Sequence, residues 1–142
     1  MPVKQISVLL DHRPGAMSEV SELLGREGIN VGGVTLAEAT DSAIVRFIAD
    51  DPAKAAQALR AAGYHVTERD VIAVETPDHP GGLNAVLKPL AAAGINVLYF
   101  YPFLRRVGDQ AILIFRTDNI EKAEQILKEN WIQTIGDDIY SL

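Results

Sequence analysis

The chain repeats itself, and that repeat limits what it can fold into. Displaced by 66 residues, positions 6–31 fall on 72–97. Ten of these 26 are identical: Ile6, Val8, Pro14, Gly15, Val20, Leu24, Gly28, Ile29, Asn30 and Val31. Displaced by 68, positions 42–59 fall on 110–127, and eight of 18 agree, Ala43, Phe47, Asp50 and Lys54 among them. The second copy therefore carries two extra residues between Val97 and Ala111, where a loop absorbs them cheaply. This duplication predicts two domains, 1–69 and 70–142. A copy of about 70 residues is marginal alone, whereas two packed copies are not. Glu68-Arg69-Asp70 reads as a tight joint with no flexible linker, so two rigidly packed modules are expected side by side.

Each copy reads βαββαβ. Ile6, Val8 and Leu10 alternate with Gln5, Ser7 and Leu9, the period of a strand with one face better buried. Pro14-Gly15 interrupts it. Met17, Val20, Leu23 and Leu24 then follow helical spacing, and Gly28 ends that helix. Strands follow at 30–36 and 43–49, separated by the turn residues Thr40-Asp41-Ser42. Asp51-Pro52 opens a second helix with a capping carboxylate and a proline in the first turn. Gly63 closes it before a strand at 64–67. The second copy repeats the order: strand 71–76, helix 81–93, strands 95–103 and 110–117, helix 119–129, strand 131–135. The helices are amphipathic on one side only, so each copy is expected to lay two helices on one face of an antiparallel sheet, an α+β fold. Pro89 should kink or shorten the third helix. Asp138-Ile139-Tyr140-Ser141-Leu142 aligns with the start of the second copy and reads as the opening strand of a third repeat, added to a sheet edge.

Composition removes several functions. There is no cysteine, which excludes disulfides, thiolate metal sites and a cysteine nucleophile. Thirteen Lys and Arg against nineteen Asp and Glu give a net charge of −6, opposed to nucleic-acid binding. The most apolar stretch, 90–104, is broken by Gly94, Asn96 and Pro102 and is too short to cross a bilayer. Met1-Pro2-Val3-Lys4-Gln5 lacks the features of a signal peptide, so a cytoplasmic protein is expected, with no membrane partner.

One pattern occurs twice: a strand, then x-Pro-Gly-(Ala/Gly)-(Met/Leu)-x-x-Val, then Gly-Ile-Asn-Val at the next strand. The first copy has Arg13-Pro14-Gly15-Ala16-Met17-Ser18-Glu19-Val20 and Gly28-Ile29-Asn30-Val31. The second has His79-Pro80-Gly81-Gly82-Leu83-Asn84-Ala85-Val86 and Gly94-Ile95-Asn96-Val97. Over essentially its whole length the chain resembles tandem ACT domains, stand-alone regulators of ferredoxin-like fold that bind amino acids. The resemblance implies a non-catalytic sensor without cofactor, binding a free amino acid at the strand-to-helix loops and the module interface. It also implies a homodimer and a partner enzyme or regulator.

The residues supply a physical basis for such a site. A helix N-terminus offers unpaired N–H groups and partial positive charge to a carboxylate. Gly15 and Gly81 let a ligand approach the backbone, or simply serve a tight turn. Asp11, Asp78, Asn30 and Asn96 offer acceptors for an ammonium group. Candidate ligand residues are thus Asp11, His12, Arg13, Pro14, Gly15, Ala16, Met17, Asn30 and Val31. In the second copy they are Asp78, His79, Pro80, Gly81, Gly82, Leu83, Asn96, Val97 and Tyr99. In ACT domains the position three before the glycine often carries a ligand-contacting Asn. His12 and Asp78 stand there, so the two sites are not expected to be equivalent. Arg46 in mid-strand reads as an exposed or interface-paired cation, or else a carboxylate ligand. Tyr99 or Tyr101 could line a pocket, whereas Phe100 and Phe103 read as core or subunit packing. Two other functions stay open: a macromolecular adaptor without a small ligand, and a small metal-dependent enzyme if His12 and His79 converge.

Overall fold

The alternation at the head of the chain becomes β1 (Val3–Asp11), with Ile6, Val8 and Leu10 buried. The computed structural model describes residues 2–142. After β1 come α1 (Ala16–Arg26), β2 (Val31–Glu38), β3 (Ser42–Ala49), α2 (Pro52–Ala61) and β4 (His65–Pro77). Then follow α3 (Gly82–Ala92), β5 (Val97–Pro102), β6 (Gln110–Thr117), α4 (Ile120–Glu129) and β7 (Thr134–Ile135). The fold is α+β, two βαββαβ repeats. The chain divides into two units, Lys4–Arg69 and Asp70–Leu142, the latter together with Val3.

In the first unit the strand order is β2-β3-β1-β4. Antiparallel register sets Val8 against Val45, and Leu36 against the same Val45 from the other side. Val20 and Leu24 of α1 and Ala55 and Leu59 of α2 cover this sheet, forming one core with Ile6, Val8, Val45 and Phe47. In the second unit β6 lies between β5 and β4, and β7 pairs with β4. Its core gathers Ile72, Val74, Val86, Leu90, Phe115, Ala123 and Leu127. These are the same positions: Val86 repeats Val20, Leu90 repeats Leu24, and Phe115 repeats Phe47.

The caps repeat as well. The Asp51 side chain accepts from the Lys54 N–H at 3.2 Å, and Asn119 accepts from the Lys122 N–H at 3.1 Å. Each cap satisfies one of the orphan donors of its helix.

Four local expectations need correction. The strands expected at 64–67 and 71–76 are one, because β4 runs unbroken through residues 68–70. The last strand is only Thr134–Ile135, since Trp131 sits at φ 60° and breaks the extended run. The segment after it is not a strand. Residues Asp137–Ser141 form a 3₁₀ turn, with the Ile139 N–H bonded to the Gly136 carbonyl at 3.0 Å. Gly136, Asp137 and Asp138 favour that turn, and Ile139 is buried by it. Pro89 does not shorten α3, which keeps the eleven residues of α1. The buried Val86 and Leu90 flank the proline and hold the helix to its sheet. Among the described residues no helix is long and apolar enough to cross a membrane.

Candidate functional site

The β1–α1 loop builds the clearest site. β1 ends at Asp11, and the Arg13 N–H turns back onto the Asp11 carbonyl at 3.0 Å. Gly15 caps α1 at φ 86°, ψ −11°, a left-handed conformation that favours glycine. No side chain caps this helix. The Glu19 N–H is the first of the helix to reach back four residues, to the Gly15 carbonyl at 3.0 Å. The N–H groups of Met17 and Ser18 therefore face outward, as at any uncapped N-terminus.

An open cavity of about 760 Å³ lies over this turn. Asp11, His12, Arg13, Pro14, Gly15, Ala16 and Met17 all line it. The remaining wall is Leu10, Ser18, Leu36, Glu38 and Ala43. Strand register explains how residues so distant in sequence meet. Ala43 sits opposite Leu10 on one side and Glu38 on the other, so the three form a row across the sheet. Leu36 and Glu38 carried no signal in the loop motif. Only the hairpin joining β2 and β3, counted back from the turn at Thr40-Asp41-Ser42, could have found them.

The site has a charged rim and an apolar floor. Arg13 pairs with Glu19 at 2.9 Å and with Asp11 at 3.6 Å. The Glu19 carboxylate, hydrogen-bonded to the guanidinium, raises the Arg13 pKa above its ordinary value, and Asp11 adds to this. His12 Nε2 lies 3.8 Å from a Glu38 carboxylate oxygen. All these groups are solvent-exposed, so their ion pairs add little to the stability of the fold. Leu10, Ala16, Met17, Leu36 and Ala43 supply the apolar surface beneath them.

The second repeat builds its loop differently. Gly81 takes φ 86° and matches Gly15. Gly82, however, replaces Ala16, and a Cβ there would lie 1.8 Å from the Pro77 carbonyl oxygen. The strand end is therefore pressed onto the first turn of α3. Asp78 is held by Arg106 at 2.9 Å, and Arg106 also donates to the Asp109 carbonyl at 2.9 Å. Arg106 belongs to the longer loop that the two extra residues create. His79 Nδ1 lies 2.9 Å from the Pro80 carbonyl oxygen. Asp78, His79, Pro80, Gly81, Gly82 and Leu83 are thus brought together, with the loop's own arginine on its carboxylate.

Asn30, Val31, Asn96 and Val97 lie elsewhere in their units. α1 has eleven residues, about 16 Å of rise, and Asn30 follows its far end. The Asn30 N–H donates to the Asp50 carboxylate at 3.0 Å, and the Asp50 N–H returns a bond to the Asn30 carbonyl at 3.0 Å. Asn96 and Asp118 repeat the exchange at 3.1 Å and 3.1 Å. This reciprocal pair fastens the start of a strand to the end of its neighbour. Val31 and Val97 pack against their cores. None of the four lines the 760 Å³ cavity.

In the aromatic strand Tyr101 and Phe103 are buried, and Tyr99 is half-buried. Phe100 is 42% exposed and stacks on Phe115 at 5.2 Å between ring centres, so it is only partly core. Arg46 is half-buried, between Ser7 and Thr35 in register. Among the described residues no group of three His, Asp or Glu side chains is placed to hold a metal ion.

The model of the ACT domain pair matches residues 1–141. The chain belongs to this family. ACT domain pairs are regulatory, ligand-binding modules, which places the protein in that broad class. It is 34% identical to a protein of Bacteroides thetaiotaomicron of solved structure, covering 100% of this chain and 98% of that one, with a TM-score of 0.92. Regulatory subunits of aspartate kinase share the fold. That of Thermus thermophilus, in a ligand-free form, is 16% identical over 90% of this chain and 92% of its own, TM-score 0.65. That of Thermus flavus is 18% identical over 90% of each chain, TM-score 0.62. A search of curated proteins found no match.

Proposed function

We propose that this ACT domain pair is a non-catalytic sensor of a free amino acid, and that the ligand sits in the β1–α1 cavity of the first repeat. The carrying observation is the composition of that cavity. It combines an uncapped helix N-terminus, carboxylates and an apolar floor within one opening. The ligand's carboxylate takes the outward N–H groups at the start of α1. Its ammonium group takes Asp11 and Glu38, and its side chain lies on Leu10, Leu36 and Met17. The floor favours an apolar side chain of medium size.

The second repeat serves as the structural partner. Its loop is pressed onto α3 and its acidic side chain is already neutralised by Arg106. Binding is therefore one ligand per chain. Two copies of the chain assemble, and the ligand favours one arrangement over another by its differential affinity. A partner enzyme or regulator reads that arrangement.

A thermal-shift screen against the common amino acids, with calorimetry on each hit, tests this. The expected result is selective stabilisation by one or a few apolar amino acids, at one per chain. Asp11→Asn should weaken it by about tenfold, equivalent to the loss of one charge-assisted contact. A flat screen at millimolar ligand would instead support a macromolecular adaptor.

A further inference from the structure

We propose that Trp131 and the groove beside it form a docking point for a basic segment of a partner protein, which inserts an arginine or lysine side chain. This surface belongs to the second repeat and does not depend on the amino-acid site.

Position 131 repeats Gly63. Both residues follow a helix and close it in the same way. The Gly63 N–H bonds to Arg60 O at 3.0 Å, and the Trp131 N–H bonds to Lys128 O at 3.1 Å. The next residues, Tyr64 and Ile132, bond to Leu59 O and Leu127 O at 3.1 and 2.9 Å. This helix ending requires a left-handed residue, usually glycine. Gly63 sits at φ 91° and Trp131 at φ 60°, and Trp131 is the one non-glycine residue with positive φ among those described. It is also 90% exposed, more than any other large apolar residue there. Strain and exposed ring both oppose folding and solubility.

Trp131 borders a groove of about 250 Å³ walled by Pro77, Ala85, Val86 and Ile132, with Glu75 in its lining. The first repeat has the corresponding groove, but there the Arg13–Glu19 ion pair lines it and Gly63 stands at its edge. In the second repeat Glu19 has become Ala85, Asp11 has become Pro77, and Leu9 has become Glu75. The internal ion pair is lost, and one carboxylate is left among apolar residues and the uncharged Gln110 and Gln133. Among the described residues no hydrogen bond or ion pair engages the Glu75 side chain.

Charge complementarity selects the occupant. Trp131 also borders Glu121, Glu124 and Glu129, against the single cation Lys128. A cationic side chain meets each part of this surface. Its methylene stem lies along Pro77, Ala85 and Ile132, and its charge meets Glu75 and the indole face. A second copy of the chain, itself at net charge −6, is the less complementary occupant.

Trp131 is the only tryptophan, so its emission reports on this surface alone. The probe is an eight-residue peptide of alternating glycine and arginine, with alternating glycine and glutamate as control. The expected result is a saturable change in emission with the arginine peptide, none with the control, and weakening by added salt. Glu75→Gln should weaken binding at least fivefold. Trp131→Gly, followed by calorimetry, should weaken it at least tenfold without lowering the melting temperature. Equal binding of both peptides, or undiminished binding by Glu75→Gln, would overturn the proposal. So would a Trp131→Gly variant of halved particle mass, which would mark a contact between copies.

Discussion

Ala16 and Gly82 hold equivalent places, and the difference between them sets the two repeats apart. Ala16 is an ordinary helical residue at the edge of an open cavity. Gly82 has no room for a Cβ, because the Pro77 carbonyl occupies the space. Gly82→Ala should therefore lower stability by about 2 kcal/mol, as overpacking does, or else force the loop away from α3. Gly15→Ala meets no atom within 4 Å, so only its positive φ is penalised, by about 1 kcal/mol. Chemical denaturation of both variants checks the order. The motif made the loops visible in the sequence, but it could not separate these glycines. Their difference depends on where a carbonyl seventy-seven residues into the chain comes to rest, which no spacing encodes. Asn30 shows the converse. Its position in a repeated motif suggested an ammonium acceptor; its backbone is tied to Asp50 at the far end of α1, and it does not line the proposed cavity. On the proposed reading Asn30→Ala should leave amino-acid affinity within about twofold of the parent, whereas Asp11→Asn should not. Calorimetric titration of the two variants separates them.

Elements were more legible than contacts. Helical spacing in the first copy and the repeat in the second located all four helices, and Asp51 and Asn119 cap the second helix of each repeat as their residue types suggest. Asp51→Ala should lower stability by about 1 kcal/mol, measured by the midpoint of a urea transition. The less legible elements are those defined by long-range partners. β4 is thirteen residues long because its two halves serve different repeats, and local composition at Glu68-Arg69-Asp70 suggested a joint instead. The terminal segment looked like a strand because its sequence aligns with one. It forms a 3₁₀ turn that buries Ile139 to 1% exposure. Ile139→Ala should then cost about 2–4 kcal/mol, as deletion of a buried aliphatic side chain does, and a melting curve reads it directly. A strand merely appended to an edge would lose much less.

At the scale of the molecule, duplication has produced two similar units with unlike loops. The first retains an open cavity that mixes charge with apolar floor. The second has drawn its strand end onto its helix and placed Arg106 on Asp78. It also carries Trp131 where the first has glycine. On the proposed reading, sensing falls to one repeat and contact with a partner to the other. Membership of the ACT domain pair family fixes the broad regulatory class. The assignment of the ligand to the first repeat is the central claim, and stoichiometry tests it most directly. Calorimetry of the intact chain with the amino acid that most raises its melting temperature should give one site per chain. Asp11→Asn should weaken that site, and Asp78→Asn should leave it unchanged. Two equal sites per chain, or a loss caused by Asp78→Asn alone, would contradict it.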